Sequence, residues 1–374
     1  MSDYFGKDTF KLGFGLMRLP KLADGVSIDV EQVKEMVDLF IAAGGTYFDT
    51  AFVYDGGGSE IAAGEALVKR YPRESYTLAT KLNARVAENA EAARQQLMTS
   101  LERTGAGYFD YYLLHAMNRD NAKKYEEYGI WDFVKEMKEK GLIRHYGFSF
   151  HDSPEVLNEL LTKHPDAEFV QLQLNYADWN NPNVQSRANY EMARSHGKSI
   201  TVMEPVKGGA LANPVESVAR IFKEADPDAS YASWAIRYIA SLDGIITVLS
   251  GMSNVAQMKD NLSYMKEFRP MNEAEQETIR KAQEALASIP TIACTACHYC
   301  TEGCPMQIPI PEIFAARNKQ LMFNQIEQGR NDYNRVVNGV GSAADCIHCL
   351  QCEGACPQKL PITQYLEEIA EVMA

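Results

Sequence analysis

The chain has 374 residues, of which 46% are hydrophobic, 23% charged and 10% aromatic, and its formal net charge is −13. This composition fits a packed globular core and excludes a disordered or fibrous chain. The negative balance argues against nucleic acid as a partner, because a phosphate backbone would be repelled. No basic stretch followed by an apolar run opens the chain, and no apolar run reaches about 18 residues, so neither a signal peptide nor a membrane span is expected. A cytoplasmic protein with no membrane partner is the expectation.

From residue 12 to residue 265, short β-branched or aromatic runs alternate with helical patterns. Leu12–Leu16 is the first expected strand. A helix over Val30–Ala43 follows, with Val30, Val33, Met36, Val37 and Phe40 at helical spacing. Strands Thr46–Thr50 and Tyr76–Lys81 come next, then a helix over Ala90–Thr104 and a strand over Phe109–His115. Helix Trp131–Lys140, strand Arg144–Phe150, helix Pro154–His164 and strands Phe169–Tyr176, Ser199–Glu204 and Ile245–Ser250 complete the set. Eight strands alternating with helices predict a (β/α)₈ TIM barrel. A doubly wound sheet would carry three spaced glycines after its first strand, and Gly13-Phe14-Gly15-Leu16-Met17-Arg18 lacks the third. Barrel active sites lie at the C-terminal strand ends. Asp49, Lys81 and His115 fall at those ends, and Tyr54 falls in the loop after one of them.

A helix over Met271–Ser288 is expected to leave the barrel, placing one domain at residues 1–285 and a second at residues 286–374. All eight cysteines lie in the second. Clustered thiols in a reducing compartment bind metal more readily than they form disulfides. Cys294-x₂-Cys297-x₂-Cys300-x₃-Cys304-Pro305 is repeated as Cys346-x₂-Cys349-x₂-Cys352-x₃-Cys356-Pro357. This is the run that ligates [4Fe–4S] clusters, with the fourth cysteine serving the other cluster. One cluster is therefore expected on Cys294, Cys297, Cys300 and Cys356, and the other on Cys346, Cys349, Cys352 and Cys304. Zinc is the alternative, but it does not explain the third and fourth cysteines or the trailing prolines. The segment resembles two-cluster bacterial ferredoxins. Helices expected over Pro311–Gln320 and Met322–Glu327 bring it nearer to the helical ferredoxin-like modules. His298 and His348 sit inside the runs and are read as packing or tuning groups, not ligands.

At the four polar residues of the barrel the sequence resembles the aldo-keto reductase family, and their chemistry supports the carbonyl reduction that the resemblance implies. An ordinary phenol, with a pKa of about 10, is a reluctant acid. A neighbouring ammonium (Lys81) is expected to lower Tyr54, Asp49 to hold that ammonium, and His115 to orient a carbonyl oxygen or assist proton movement. The resemblance rests on Asp49-Thr50-Ala51-Phe52-Val53-Tyr54, Gly58-Ser59-Glu60, Leu78-Ala79-Thr80-Lys81 and Leu113-Leu114-His115, in that order. It implies an NADP- or NAD-dependent oxidoreductase acting on a small-molecule carbonyl or alcohol.

The resemblance also implies that Ser149 and Gln171 hold the nicotinamide amide, with Phe150 where the family's second amide contact stands. It implies that Met203 packs on the nicotinamide, and that Pro205, Val206, Lys207 and Gly208 run over the pyrophosphate. Gly251, Ser253, Gln257 and Asn261 would line the adenosine end. Gly251 and Gln257 replace the Lys and Arg that grip a 2′-phosphate in many members, and Lys207 is a substitute cation. NADP and NAD both remain open. Asp55-Gly56-Gly57-Gly58 is expected to be a flexible loop beside Tyr54. Phe52, Tyr176 and Trp179 are candidate pocket walls, with ordinary packing as the alternative.

Three functions compete. One is a carbonyl reductase with an appended two-cluster module. In the second, the barrel is a cofactor-binding or docking scaffold and the clusters exchange electrons with a redox protein partner. In the third, the clusters only fold or regulate the C-terminus. Hydride transfer moves two electrons and each cluster moves one, and no feature of the sequence identifies a flavin to bridge them.

Overall fold

A computed structural model describes every residue except 1–3, 183, 295 and 374. Eight strands form a closed barrel in sequence order: β1 Leu12–Gly15, β2 Tyr47–Asp49, β3 Thr77–Leu82, β4 Phe109–Met117, β5 Ile143–Phe150, β6 Phe169–Gln173, β7 Ser199–Met203 and β8 Ile245–Ser250. Every neighbouring pair is parallel, and β8 returns to β1. Each expected strand is present, with β6 ending early, before Leu174–Tyr176.

Side chains alternate between the two faces of each strand. The outward face packs on the helices. Helix α1 (Val30–Ala42) starts where the Asp29 side chain accepts the Gln32 N–H, and it buries Val33, Met36, Val37 and Phe40. Phe40 meets Phe14 and Phe48 of the barrel wall at ring distances of 6.0 and 5.2 Å. The inward face forms a second core of Tyr47, Tyr111, Phe169 and their neighbours, with Phe5 packed against it. The Phe5 ring lies 4.4 Å from that of His145 and 5.8 Å from that of Tyr111. At Gly147 a Cβ would lie 2.1 Å from the Phe169 carbonyl oxygen, so this strand contact requires glycine. The aromatic layer fills the lower barrel and leaves polar side chains for the C-terminal ends.

The chain divides into two compact units: Met1–Gly208 with Ala232–Ile279, and Gly209–Tyr231 with Arg280–Ala374. This differs from the expected break after residue 285. Helix Glu273–Ala287 straddles the boundary, and a segment from the β7–β8 connection belongs to the second unit.

The second unit has its own core, in which Ile310, Ile313, Phe314, Leu366 and Ile369 surround Cys300 and Cys352. Its helices include Ile310–Phe323 and Ile326–Val336. The helix expected over Met322–Glu327 does not form. Asn324 adopts the left-handed conformation (φ 51°) and ends the first helix there. The two cysteine runs share a backbone pattern. Ala296 and His348, His298 and Leu350, and Gln307 and Lys359 occupy matching positions, and all six have positive φ. Among the described residues, no helix is long and apolar enough to cross a membrane.

Candidate active site and cysteine cavities

Parallel register decides which side chains meet inside the barrel. Asp49 pairs with Ala79, and Lys81 pairs with Leu113. Alternation then points Asp49, Lys81 and His115 inward near the same end. Lys81 Nζ donates to Asp49 Oδ1 and to the Thr50 carbonyl, both at 2.6 Å. Lys81 is 1% exposed and Asp49 3%. The ammonium stands 4.7 Å from the centre of the Tyr54 ring, and the Tyr54 and His115 rings meet edge-on at 5.7 Å. The four expected residues are thus gathered.

Their protonation differs in part from expectation. Burial raises the Tyr54 phenol above its usual value, Lys81 opposes this only partly, and Asp49 and Glu204 add to the rise. The expected lowering of Tyr54 is therefore corrected: desolvation of the phenolate outweighs the ammonium. Burial also works against the charge on Lys81, but Asp49 and Tyr54 outweigh it and raise the ammonium's pKa. His115 is pushed down to about 3 by burial and then by Lys81. It is a neutral imidazole at ordinary pH, suited to orienting an oxygen by hydrogen bond. Its Nδ1 is buried, with no hydrogen-bond partner among the described residues.

Contacts run from the turn after Tyr54 to its surroundings. Asp55 takes a 2.7 Å ion pair from Lys21. Ser59 donates to the Leu16 carbonyl at 2.9 Å and shares a 2.7 Å hydrogen bond with Thr50. Phe52 lies under Arg103, Tyr176 is buried, and the Trp179 ring packs 5.7 Å from Tyr190 and 5.8 Å from Tyr238.

Across the barrel Ser149 and Gln171 are register partners on β5 and β6. Ser149 Oγ accepts the Ala116 N–H at 2.8 Å, which leaves its own proton to donate. Gln171 Oε1 is buried without a hydrogen-bond partner among the described residues. An orphaned acceptor in a buried site is costly, and a carboxamide N–H₂ would satisfy it. Phe150 points the other way, into the outer core. Met203 ends β7 half-buried, Pro205 is buried and Val206 packs against the barrel core.

Three of the expected adenosine- and phosphate-end residues have other partners. Lys207 Nζ donates to both carboxylate oxygens of buried Asp178, at 2.7 and 2.8 Å, so its charge is already matched. Gln257 Oε1 accepts the Ser253 N–H at 2.7 Å, closing the start of helix Val255–Met265. Asn261 is buried, donating to Ser250 at 2.7 Å and accepting from Tyr264 at 2.6 Å. Arg18, absent from the expected set, lies beside both loop glycines. A Cβ on Gly208 would be 3.4 Å from its Nη2, and one on Gly251 3.5 Å from its Cδ. Its side chain is 49% exposed, with one long 3.9 Å ion pair to Glu204. Its place just after β1 was the signal in the sequence.

In the second unit the cysteines sort as expected. Cys294, Cys297, Cys300 and Cys356 line one small cavity, together with His298 and Phe314. Cys304, Cys346, Cys349 and Cys352 line another, with Met306 and Ile347. Each cavity therefore takes its fourth thiol from the other run. Burial, with neighbouring cysteines adding, pushes Cys300 and Cys352 up to about 11. Such thiols give up their protons only to a bound cation, so this donor set fits a thiolate-held metal cluster. His298 and His348 are both exposed; His298 borders the first cavity and stands 3.7 Å from Glu312.

Comparison with known proteins agrees with this geometry. Residues 11–284 match the aldo/keto reductase family, and residues 293–360 match the 4Fe-4S dicluster domain. An uncharacterised oxidoreductase of Bacillus subtilis is 24% identical over 286 residues, covering 68% of this chain and 87% of its own. The holo form of an aldo-keto reductase from Bacillus halodurans superposes with a TM-score of 0.61 at 26% identity, covering 76% of this chain and 96% of its own. An aldo-keto reductase from Klebsiella pneumoniae in complex with NADPH gives a TM-score of 0.60 at 18% identity, with coverage of 76% and 96%. The chain belongs to the aldo/keto reductase family and is an oxidoreductase whose barrel is followed by a 4Fe-4S dicluster domain.

Proposed function

We propose that the barrel reduces an aldehyde or ketone at the expense of NADH or NADPH, or catalyses the reverse, and that two [4Fe–4S] clusters occupy the two cysteine cavities. The convergence of Asp49, Lys81, Tyr54 and His115 at one end of the barrel carries this reading. A bound nicotinamide supplies hydride to the carbonyl carbon. Tyr54 gives its phenolic proton to the carbonyl oxygen as the C=O π bond breaks, and solvent later restores that proton. Lys81, kept charged by Asp49, stabilises the phenolate left behind. Neutral His115 orients the oxygen. Ser149 and Gln171 would hold the carboxamide, Met203 would pack on the ring, and residues 205–208 and 251–261 would follow the rest of the dinucleotide. Arg18 supplies a cation at the phosphates that Lys207 does not. The NADPH in complex with the Klebsiella neighbour supports a nicotinamide cofactor.

Tyr54→Phe tests the reading. Turnover of NAD(P)H with a carbonyl panel should fall by about 10²–10⁴-fold, the range for losing a general acid, while cofactor affinity holds. Wild-type turnover in that variant would sink it.

The two cysteine-lined cavities favour a second reading, in which the clusters exchange electrons with a redox protein and the barrel is a scaffold. It requires the iron–sulfur absorption of anaerobic protein to bleach on adding NAD(P)H or substrate. An unchanged spectrum excludes it.

A further inference from the structure

Arg103, in helix α3 (Ala90–Thr104), touches the turn that carries Tyr54 on both sides of that residue. Its Nη1 donates to the Phe52 carbonyl at 3.0 Å, and its guanidinium covers the Phe52 ring at 4.5 Å. On the other side stands Gly57, with φ 98°, where a Cβ would lie 2.6 Å from Arg103 Cζ. The same Nη1 donates to Glu60 Oε2 at 3.0 Å. Glu60, in helix α2 (Gly58–Ala63), is fully buried. Its other oxygen accepts the Thr80 hydroxyl at 2.7 Å. Thr80 is buried and immediately precedes Lys81. The path Phe52–Arg103–Glu60–Thr80 therefore joins the turn holding the phenol to the strand holding the ammonium.

A pair of this kind is a poor way to stabilise a core, since removing a carboxylate from water costs more than an apolar filler would. What an arginine adds is direction: a planar fork bonds several acceptors at fixed angles, which a lysine cannot copy. Here one face of the fork also rests on a ring, and a glycine with no side chain leaves room for it.

We propose that Arg103 is a positioning residue for proton transfer, setting the Tyr54 hydroxyl against Lys81 through Phe52 on one side and Glu60–Thr80 on the other. Arg103 touches neither substrate nor cofactor. The inference rests on the reading of Tyr54 as the proton donor, and its test is built to fail separately. The full-length holoprotein is used, and wild-type turnover of a carbonyl is measured first; its absence would defeat the functional reading alone.

Arg103→Ala should lower kcat by about 10²-fold, the cost of misplacing a catalytic group by roughly 1 Å. The dissociation constant for the nicotinamide cofactor should not change. Millimolar guanidinium should restore part of kcat, and Arg103→Lys should recover less than guanidinium does. Unchanged kcat would overturn the proposal, as would a loss matched by lost cofactor binding and not rescued by guanidinium. Should Arg103→Ala fail to fold, Gly57→Ala keeps the arginine but displaces its guanidinium. It should show the same fall in kcat, and full activity there would overturn the proposal equally. A crystal structure of either variant decides the matter without turnover: the Tyr54 hydroxyl displaced from Lys81 supports the proposal, and an unmoved hydroxyl refutes it.

Discussion

The two polar centres of this chain are built on opposite principles. In the barrel the buried charges beside Tyr54 already have their partners. Lys81 is bonded to Asp49 and Thr50, and Glu60 to Arg103 and Thr80. Packing and register set this arrangement, and a ligand would find it made. In the second unit, two of the eight thiols are core residues, buried among Ile310, Phe314 and Leu366, and burial makes them harder to ionise. Such thiols ionise readily only beside a positive charge, which the proposed clusters would supply.

Removing iron is the strongest test of this contrast. Chelation under reducing conditions should unfold most of Arg280–Ala374, because metal binding there is folding free energy. Limited proteolysis followed by mass spectrometry should locate the cuts in that segment, with the barrel core spared and carbonyl turnover retained. Cuts throughout the barrel would show that the two centres are not so different. The next largest effect lies in the barrel. Asp49→Asn leaves the Lys81 ammonium buried with no carboxylate, at a cost of about 3–5 kcal/mol. Urea unfolding should report that loss whether or not iron is present. A much smaller loss would mean that Lys81 sheds its proton, and the site would then be less fixed than the geometry implies.

Much of this contrast was legible before any coordinates. Short β-branched or aromatic runs placed all eight strands, and strand ends singled out Asp49, Lys81 and His115, since alternation is a local property. Cysteine spacing foretold which four thiols share a cavity, because three close ligands leave a cluster corner for a remote fourth. What stayed hidden depends on neighbours far apart in sequence. The sign of the Tyr54 shift turns on how deeply the phenol is buried, and no local pattern reports burial by other strands. Lys207 meets Asp178, Asn261 turns inward to Ser250, and Arg103 reaches Glu60 across 43 residues. Asn324 ends a helix within an otherwise helical pattern because its left-handed geometry permits a stop that its neighbours' propensities oppose.

The smallest expected effect is in the response to pH, and its sign separates the two centres. With Tyr54 as the proposed proton donor, reduction would need its phenol protonated. Burial holds its pKa above the ordinary value, so the acid is present throughout the neutral range, and kcat should fall only as pH rises through that raised value. Oxidation needs the phenolate and should rise with pH through the same window. His115, at about 3, is neutral well below its ordinary pKa of about 6.5, so neither direction should show a step there. Lys81→Met removes the group that pulls Tyr54 down, and the alkaline limb should move further up. The thiols behave oppositely. Each must lose a proton to bind metal, and with Cys300 and Cys352 near 11 every fall in pH favours proton over iron. Acidification should therefore bleach the iron–sulfur absorption while carbonyl turnover still runs at its plateau. A kcat limb near 6.5, or turnover lost in step with the absorption, would show instead that the barrel site takes part of its order from the clusters.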